Sequence, residues 1–142
     1  MNPKYPHYDT LTPYEINILE LTVYNEVGYM SRHNKEIIAT VIYNRVISSG
    51  FPDTVEGVIM QPNQFYNGNY YLYNPDDETK EVVKEVFSRQ SQDRLHEATF
   101  YYGVEDTGYT AAQWFETNKA LEYVFTYGEM TKSARFFKLK GD

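Results

Sequence analysis

The first two-thirds of the chain carry hydrophobic residues at helical spacing. Thr12, Pro13 and Glu15 predict a helix start, because a Thr cap, a Pro in the first helical position and a Glu three residues after the cap suit a first turn. The apolar stripe that follows predicts a first helix from Pro13 to about Val27. Gly28 is expected to end it.

A second apolar stripe predicts a helix from about Asn34 to Ser48. Its hydrophobic residues recur every three to four positions: Ile37, Ile38, Val41, Ile42 and Val46. After a turn at FPDT, Thr54 can cap a short helix with the sequence VEGVIM. Residues 61–74 have no clean period and are rich in Asn, Gly and Tyr, a mixture typical of loops that carry binding residues.

A further helix is predicted after this loop. Asn74 is the expected cap and Pro75 the expected first helical residue, while Asp76 and Asp77 favour the positive end of the helix dipole. We expect this helix to reach about Arg89.

The pattern changes near Ala98. The segments ATFYYG, EYVFTYGEM and ARFFKL are rich in aromatic and Thr or Val residues and predict strands, with a short helix at about 111–116 between them. Helices followed by strands predict an α+β fold with a small antiparallel sheet in its C-terminal part. We expect residues 1–142 to form a single domain, with 1–10 as an irregular lead-in.

Charge and composition exclude several classes of function. Acidic residues outnumber basic ones by 20 to 13, and the net charge of -7 argues against binding to nucleic acid or anionic lipid. The chain has no Cys, and His7, His33 and His96 lack zinc-ligand spacing and are expected at the surface. We therefore expect no metal and no cofactor. No apolar run is long enough to span a membrane.

Tyrosine dominates the aromatic residues, with 15 of them in 142 positions. A Tyr ring has an apolar face and a polar tip, which suits a wet cleft that binds sugar rings. Composition alone favours the simpler explanation of a Tyr-rich core and surface.

Glu26 is a candidate catalytic acid. On a helical wheel it lies at the edge of the apolar stripe defined by Leu19 and Val23, and it falls in the last turn of the predicted helix. Burial and the negative end of a helix dipole both raise a carboxyl pKa, which lets the group hold and then donate a proton. The wheel alone does not distinguish a solvated Glu26, and Glu20 lies near the opposite edge of the same stripe.

Four segments carry a family resemblance. They are VYNE (23–26), IYNRV (42–46), GFPDTVEGVIMQPNQF (50–65) and a late aromatic block around FYYG and Gln113-Trp114. In order and spacing they resemble the cell-wall hydrolase family of spore cortex-lytic enzymes (SleB/CwlJ type), from about Ile16 to Phe137. The resemblance implies a lysozyme-like fold, cleavage between N-acetylmuramic acid and N-acetylglucosamine, and Glu26 as the catalytic acid.

The chain departs from this family pattern in three places. Met30 stands near the position of a second acidic residue, and Arg135 stands where a His often precedes the last aromatic pair. The chain also carries no recognisable wall-binding module. The first two differences concern pH response and substrate preference, and the third concerns targeting.

Glycoside hydrolysis usually needs two carboxylates. Asp53 is the best-placed partner for Glu26, although FPDT also reads as a simple turn, and Glu56 is expected to be solvated. The resemblance offers a different solution, since a lytic transglycosylase needs no second carboxylate. The resemblance therefore favours a lytic transglycosylase that gives 1,6-anhydromuramic products, with Glu26 as general acid and base. A hydrolytic muramidase of the same fold and a non-catalytic glycan-binding or virion structural module are the alternatives.

The resemblance also implies a set of supporting residues. Asn44 and Arg45 are expected to support the loop around Glu26. The expected substrate-binding residues are Gln64, Phe65, Tyr66, Tyr101, Tyr102 and Trp114. Tyr101 and Tyr102 should point to opposite faces of a strand, so only one can line a cleft. Phe65 and Trp114 could equally be core residues.

The expected partner is therefore the glycan strand of peptidoglycan, with no nucleic acid and no membrane span, and a monomer is favoured. The first residues, MNPKYPHYDTLTPYE, lack the apolar core of a signal peptide. We therefore expect cytoplasmic synthesis, followed by phage-type (holin-assisted), virion or spore-associated delivery to the wall.

Overall fold

The computed structural model describes residues 6–62, 64–65 and 73–141. The chain divides into two compact units, Met1–His96 and Glu97–Asp142, here called unit 1 and unit 2. The helices described in unit 1 are α1 (Pro13–Val27), α2 (Arg32–Ile47), α3 (Val55–Ile59) and α4 (Asp77–Phe87), with 3₁₀ turns at Tyr8–Thr10 and Ser91–Asp93.

The predicted first helix is confirmed at both ends. Thr12 Oγ1 accepts a hydrogen bond from the Glu15 N–H, and Glu15 Oε1 accepts one from the Thr12 N–H, both at 3.1 Å. Gly28 ends α1 with ordinary right-handed dihedrals, so a left-handed backbone is not the reason for glycine there. A Cβ at Gly28 would lie 2.4 Å from the Tyr24 carbonyl oxygen and 2.6 Å from its ring, so the close approach requires glycine.

Helix α2 is the centre of unit 1 and packs against α1, α3 and α4. It begins two residues before the prediction, because Ser31 caps it by accepting a hydrogen bond from the Asn34 N–H at 3.3 Å. Almost every residue from Asn34 to Val46 is buried. The buried set includes Lys35, Asn44 and Arg45, so α2 carries polar side chains into the core as well as its apolar stripe.

The start of α4 differs from the prediction. Asp76, not Asn74, is the cap, and its Oδ1 accepts hydrogen bonds from the Thr79 N–H at 2.8 Å and the Thr79 hydroxyl at 2.5 Å. The other Asp76 oxygen lies 3.2 Å from Lys35 Nζ, which also reaches Glu78 at 2.9 Å. The long-range ion pair with α2 thus supports a cap two residues later than the local pattern indicated.

Unit 2 contains the predicted strands and short helix: β1 (Phe100–Gly103), α5 (Tyr109–Thr117), β2 (Leu121–Glu129) and β3 (Lys132–Leu139). The sheet is antiparallel in the order β1-β3-β2, with a bulge in β2 between Tyr123 and Phe125. Phe136 and Phe137 in the central strand are both buried, and as neighbours in a strand they lie on opposite faces of this sheet. The α+β class is confirmed.

Candidate active site

Glu26 lies in the last turn of α1 with a partly exposed side chain. Its neighbours Val23 and Val27 are buried, so the carboxyl lies at the border between the core and the surface, as the helical wheel predicted. Glu20 lies two turns earlier on the same helix. Burial raises the pKa of Glu20, and the charge of Lys80 offsets part of that effect.

The side chain of Asn25, next to Glu26, fixes the backbone at Tyr73. Asn25 Nδ2 donates to the Tyr73 carbonyl oxygen at 3.0 Å, and Asn25 Oδ1 accepts from the Tyr73 N–H at 3.2 Å. The same Nδ2 also donates to the Leu21 carbonyl within α1 at 2.8 Å. Asn25 therefore fastens the end of the predicted binding loop, at Tyr73, to the helix turn that carries Glu26, a role that the sequence pattern did not reveal.

Arg45 organises the start of the same loop. It is 3% exposed, and its Nη1 donates to Gln64 Oε1 at 3.0 Å. Its guanidinium lies over the rings of Phe51 and Phe65, 5.1 and 4.9 Å from their centroids. Phe65 is itself 7% exposed, so most of its ring packs inside the protein, whereas Gln64 is exposed.

Asn44 contacts His96 at the other side of α2. Asn44 Nδ2 donates to the His96 carbonyl at 2.9 Å and lies 3.4 Å from its Nδ1. His96 Nε2 lies 2.9 Å from the Ile37 carbonyl, and because a carbonyl oxygen only accepts, Nε2 carries the proton. Burial, with a smaller effect of the Arg94 charge, lowers the pKa of His96 to about 4. The expectation that His96 is a surface residue is therefore wrong.

The predicted aromatic residues of unit 2 lie on both faces of the sheet. Tyr101 stacks on Phe136 with ring centroids 5.3 Å apart. Tyr102 stacks on the opposite-facing Phe137 at 6.0 Å and contacts Phe115 of α5 in a tilted arrangement at 5.1 Å. The two tyrosines thus point to opposite faces, as alternation in a strand requires.

Trp114 keeps half of its surface in solvent. It is 51% exposed, and its ring meets Phe115 and Phe100 edge-on at centroid distances of 4.9 and 6.4 Å. A tryptophan held in this way presents an accessible apolar face, so the simple core alternative does not describe it.

A charged network joins Tyr102 to Arg135. Glu116 Oε2 accepts from the Tyr102 hydroxyl at 2.5 Å and from Arg135 Nε at 2.6 Å. The hydrogen bond from Arg135 lowers the pKa of Glu116, while the hydrogen bond to Glu116 raises the pKa of Tyr102. Arg135 also lies 4.4 Å over the Tyr123 ring. The residue that replaces the family's usual His is thus part of a structural contact.

Two of the predicted site residues remain, Tyr66 and Asp53. Tyr66 lies outside the described residues. Asp53 is exposed in the turn before α3, whose cap is Thr54 rather than Asp53.

In the described ranges no three His, Asp or Glu side chains are placed to hold a metal ion. The same ranges contain no helix with the length and apolarity that crossing a membrane demands.

Comparison with known families places this geometry in context. A family model described as Cell Wall Hydrolase matches residues 31–131, a range that begins after Glu26. The spore cortex-lytic enzyme of Oceanobacillus iheyensis is 31% identical over 103 residues, which cover 70% of this chain and 36% of that protein. That of Bacillus cereus is 29% identical over 113 residues, covering 78% and 41%. The chain thus spans less than half the length of the curated relatives that it matches.

Two solved structures share the fold. The catalytic domain of the germination-specific lytic transglycosylase SleB from Bacillus anthracis matches with a TM-score of 0.70 and 25% identity, over 92% of this chain and 98% of that one. The catalytic domain of the Bacillus cereus SleB protein matches with a TM-score of 0.68 and 22% identity, over 93% and 95%. The predicted lysozyme-like α+β class is confirmed by these matches. Because the family model matches most of this chain, the chain belongs to the cell wall hydrolase family.

Proposed function

We propose that the chain is a peptidoglycan-cleaving glycosidase of the lytic transglycosylase type, with Glu26 as its general acid and base. The observation that carries this proposal is the position of Glu26. It ends the VYNE segment in the last turn of α1, partly exposed, in a chain that matches a lytic transglycosylase catalytic domain over 92% of its length. The bond attacked is the one between N-acetylmuramic acid and N-acetylglucosamine.

The chemistry needs only one carboxyl group. Protonated Glu26 donates its proton to the glycosidic oxygen as the bond from that oxygen to C1 of the muramic acid breaks. The C6 hydroxyl of the same muramic acid then attacks C1, and the Glu26 carboxylate removes that hydroxyl's proton. The product is a 1,6-anhydro sugar, Glu26 returns to its protonated form, and no water is consumed.

The environment of Glu26 suits this double role. Val23 and Val27 beside it on α1 are buried, whereas Glu26 itself is partly exposed, so it stands at the edge of the core and within reach of solvent. Asn25 fixes the adjacent backbone through its two hydrogen bonds with Tyr73. A carboxyl held on a rigid helix turn is preorganised for proton transfer.

A hydrolytic muramidase would need a second carboxylate to place water. Asp53 and Glu56 are both exposed, Asp53 in a turn and Glu56 on the short helix α3. Among the described residues no contact marks either one as a base, so the one-carboxylate reaction is the better supported of the two.

The proposal extends to the substrate and the setting. Gln64, Tyr66, Trp114 and one of Tyr101 and Tyr102 bind the glycan, Phe65 acts mainly through its packing against Arg45, and Asn44 and Arg45 support the site. The chain acts on the cell wall as a single catalytic domain without a cofactor. Its delivery is phage-type, virion-associated or spore-associated.

Product masses test the proposal directly. Purified peptidoglycan is incubated with the protein, and the soluble fragments are separated and weighed. We expect anhydromuropeptides, each lighter by one water than the corresponding hydrolysis product. Reducing muropeptides would show a hydrolytic muramidase instead. Glycan binding without cleavage at any pH would show a non-catalytic module and contradict the proposal.

A further inference from the structure

Arg45 is a buried cation with an unusual set of contacts. Its side chain is 3% exposed, and its planar guanidinium lies over two aromatic rings, those of Phe51 and Phe65. Rings in these positions restrict the plane of the guanidinium, because cation–π contact favours the charge over a ring face. The direction in which Nη1 points is thereby fixed.

This fixed cation determines the orientation of the Gln64 side chain. A guanidinium has only N–H donors, so the Gln64 amide must turn its oxygen, and not its NH2 group, toward Arg45. The observed bond of 3.0 Å from Arg45 Nη1 to Gln64 Oε1 fits this requirement. Gln64 belongs to the exposed residues, so its NH2 group is the part of the amide left for a ligand.

We propose that Arg45 is a positioning residue that makes Gln64 a hydrogen-bond donor for the acetamido carbonyl of an amino sugar. The inference rests on the proposed function and assigns a specificity to one residue of that site. Gln64 contacts the substrate, whereas Arg45 acts only through Gln64.

The chemistry favours a neutral carbonyl over a carboxylate as the ligand group. Phe51, Phe65 and Gln64 Oε1 lie against the buried Arg45, so the group that faces a ligand is the Gln64 amide and not the guanidinium. An amide NH2 group is a neutral donor, which pairs well with a neutral carbonyl oxygen. In a peptidoglycan glycan the acetamido groups supply that oxygen on each sugar.

The test compares two glycans that differ only in this group. Peptidoglycan is used as prepared and after chemical N-deacetylation, and the ratio of kcat/KM on the two substrates is measured for each variant. Gln64→Glu keeps the length of the side chain and the bond to Arg45 but replaces the donor by a second acceptor. We expect this variant to lose about tenfold in kcat/KM on acetylated glycan, through KM, and to lose little on the deacetylated glycan.

Gln92→Glu is the matched control. It makes the same change in charge at an exposed residue of the Ser91–Asp93 turn. We expect its ratio to equal that of the parent chain. A Gln64→Glu ratio equal to the parent ratio would overturn the inference and leave the proposed function standing. Absence of cleavage by the parent chain would instead overturn the proposed function.

The role of Arg45 is tested through its coupling to Gln64. Arg45→Lys retains the charge but loses the planar group that stacks on the two rings. We expect it to lower the acetyl ratio, and to lower it no further when Gln64→Glu is already present. Independent, additive effects would show that Arg45 only supports the fold. The same comparison, made by binding acetylated and deacetylated oligosaccharides to Glu26→Gln protein, gives a readout that does not need turnover.

Discussion

The ring of His96 shows what single residues contribute to unit 1. Its contacts with Ile37 and Asn44 join residues 59 and 52 positions apart. The sequence predicted His96 at the surface, because no local pattern indicates that it is buried. Its contacts with Ile37 and Asn44 of α2 form only when the chain folds. The ring is neutral in the folded protein at neutral pH, since burial lowers its pKa from the usual 6.5 to about 4.

The lowered pKa of His96 therefore predicts that the protein loses stability in weak acid. The unfolded chain binds a proton at His96 below about pH 6.5, while the folded chain resists it until about pH 4. The contribution of His96 is thus fully present above pH 6.5 and falls as the pH drops to 4, by roughly 3 kcal/mol. We expect His96→Gln to flatten this part of the curve of unfolding free energy against pH, measured with urea.

His33→Gln is the control for this prediction, because the His33 side chain is half exposed and its contact with Glu36, 3.5 Å between Nδ1 and Oε1, is a surface ion pair of small energy. It should change the slope between pH 4 and 6.5 much less than His96→Gln does. An equal slope in the parent and His96→Gln proteins would contradict the account of His96.

Gly28 carries a second prediction for a single residue. An added Cβ would lie 2.4 Å from the Tyr24 carbonyl oxygen, so Gly28→Ala must distort the turn that follows Glu26. We expect a loss of about 2 kcal/mol in the free energy of unfolding. Gly108→Ala is the control, since a Cβ there would meet nothing within 4 Å, and it should cost much less.

Among the helices, the elements with local signals were predicted well. Helix α1 has a capping box and a Pro at its start, and both are local features that the sequence displays. At the start of α4 the sequence has three residues whose side chains can cap a helix: Asn74, Asp76 and Asp77. The choice of Asp76 depends on Lys35 of α2, which is 41 residues away and invisible to a local pattern.

The Asp76 cap of α4 should contribute more to the free energy of unfolding than the Thr12 cap of α1 does. Burial alone would raise the pKa of Asp76, but hydrogen bonds from Thr79 and Lys35 outweigh it and lower the pKa. Asp76→Ala removes a cap and one partner of a buried Lys, whereas Thr12→Ala removes only a cap. We expect costs of roughly 2–3 and 1 kcal/mol in urea unfolding.

Asp76→Asn separates the two contributions, because it can keep the cap but not the charge. Its cost should lie between those of the two alanine variants. Equal costs for Asp76→Ala and Thr12→Ala would show that the Lys35 ion pair adds nothing to α4.

For the whole molecule, the sequence predicts a single domain. Trp114 is the one tryptophan of the sequence and lies on α5 in unit 2, while α1–α4 supply most of the helical signal from unit 1. If the chain unfolds as one cooperative domain, urea transitions followed by Trp114 fluorescence and by far-ultraviolet circular dichroism coincide. We expect coincident midpoints. Separate transitions would show two independent folding units.

The candidate site was predicted in part. Glu26, Gln64 and Arg45 came from a family resemblance in motifs that are contiguous along the chain. The bonds that orient these residues join distant positions, such as Asn25 with Tyr73 and Arg45 with Gln64, and no sequence pattern reports such pairs. The motif left Phe65 open as either a sugar-facing ring or a core residue, and the structure shows it 7% exposed with the Arg45 guanidinium over its ring.

The central claim is that Glu26 alone transfers the proton. The most direct test measures the release of anhydromuropeptides by Glu26→Gln and by Glu20→Gln, which removes a carboxyl from the same helix outside the VYNE segment. We expect Glu26→Gln to lower kcat/KM by about a thousandfold with an unchanged free energy of unfolding, and Glu20→Gln to match the parent chain. A Glu26→Gln protein that released these products at the parent rate would contradict the account.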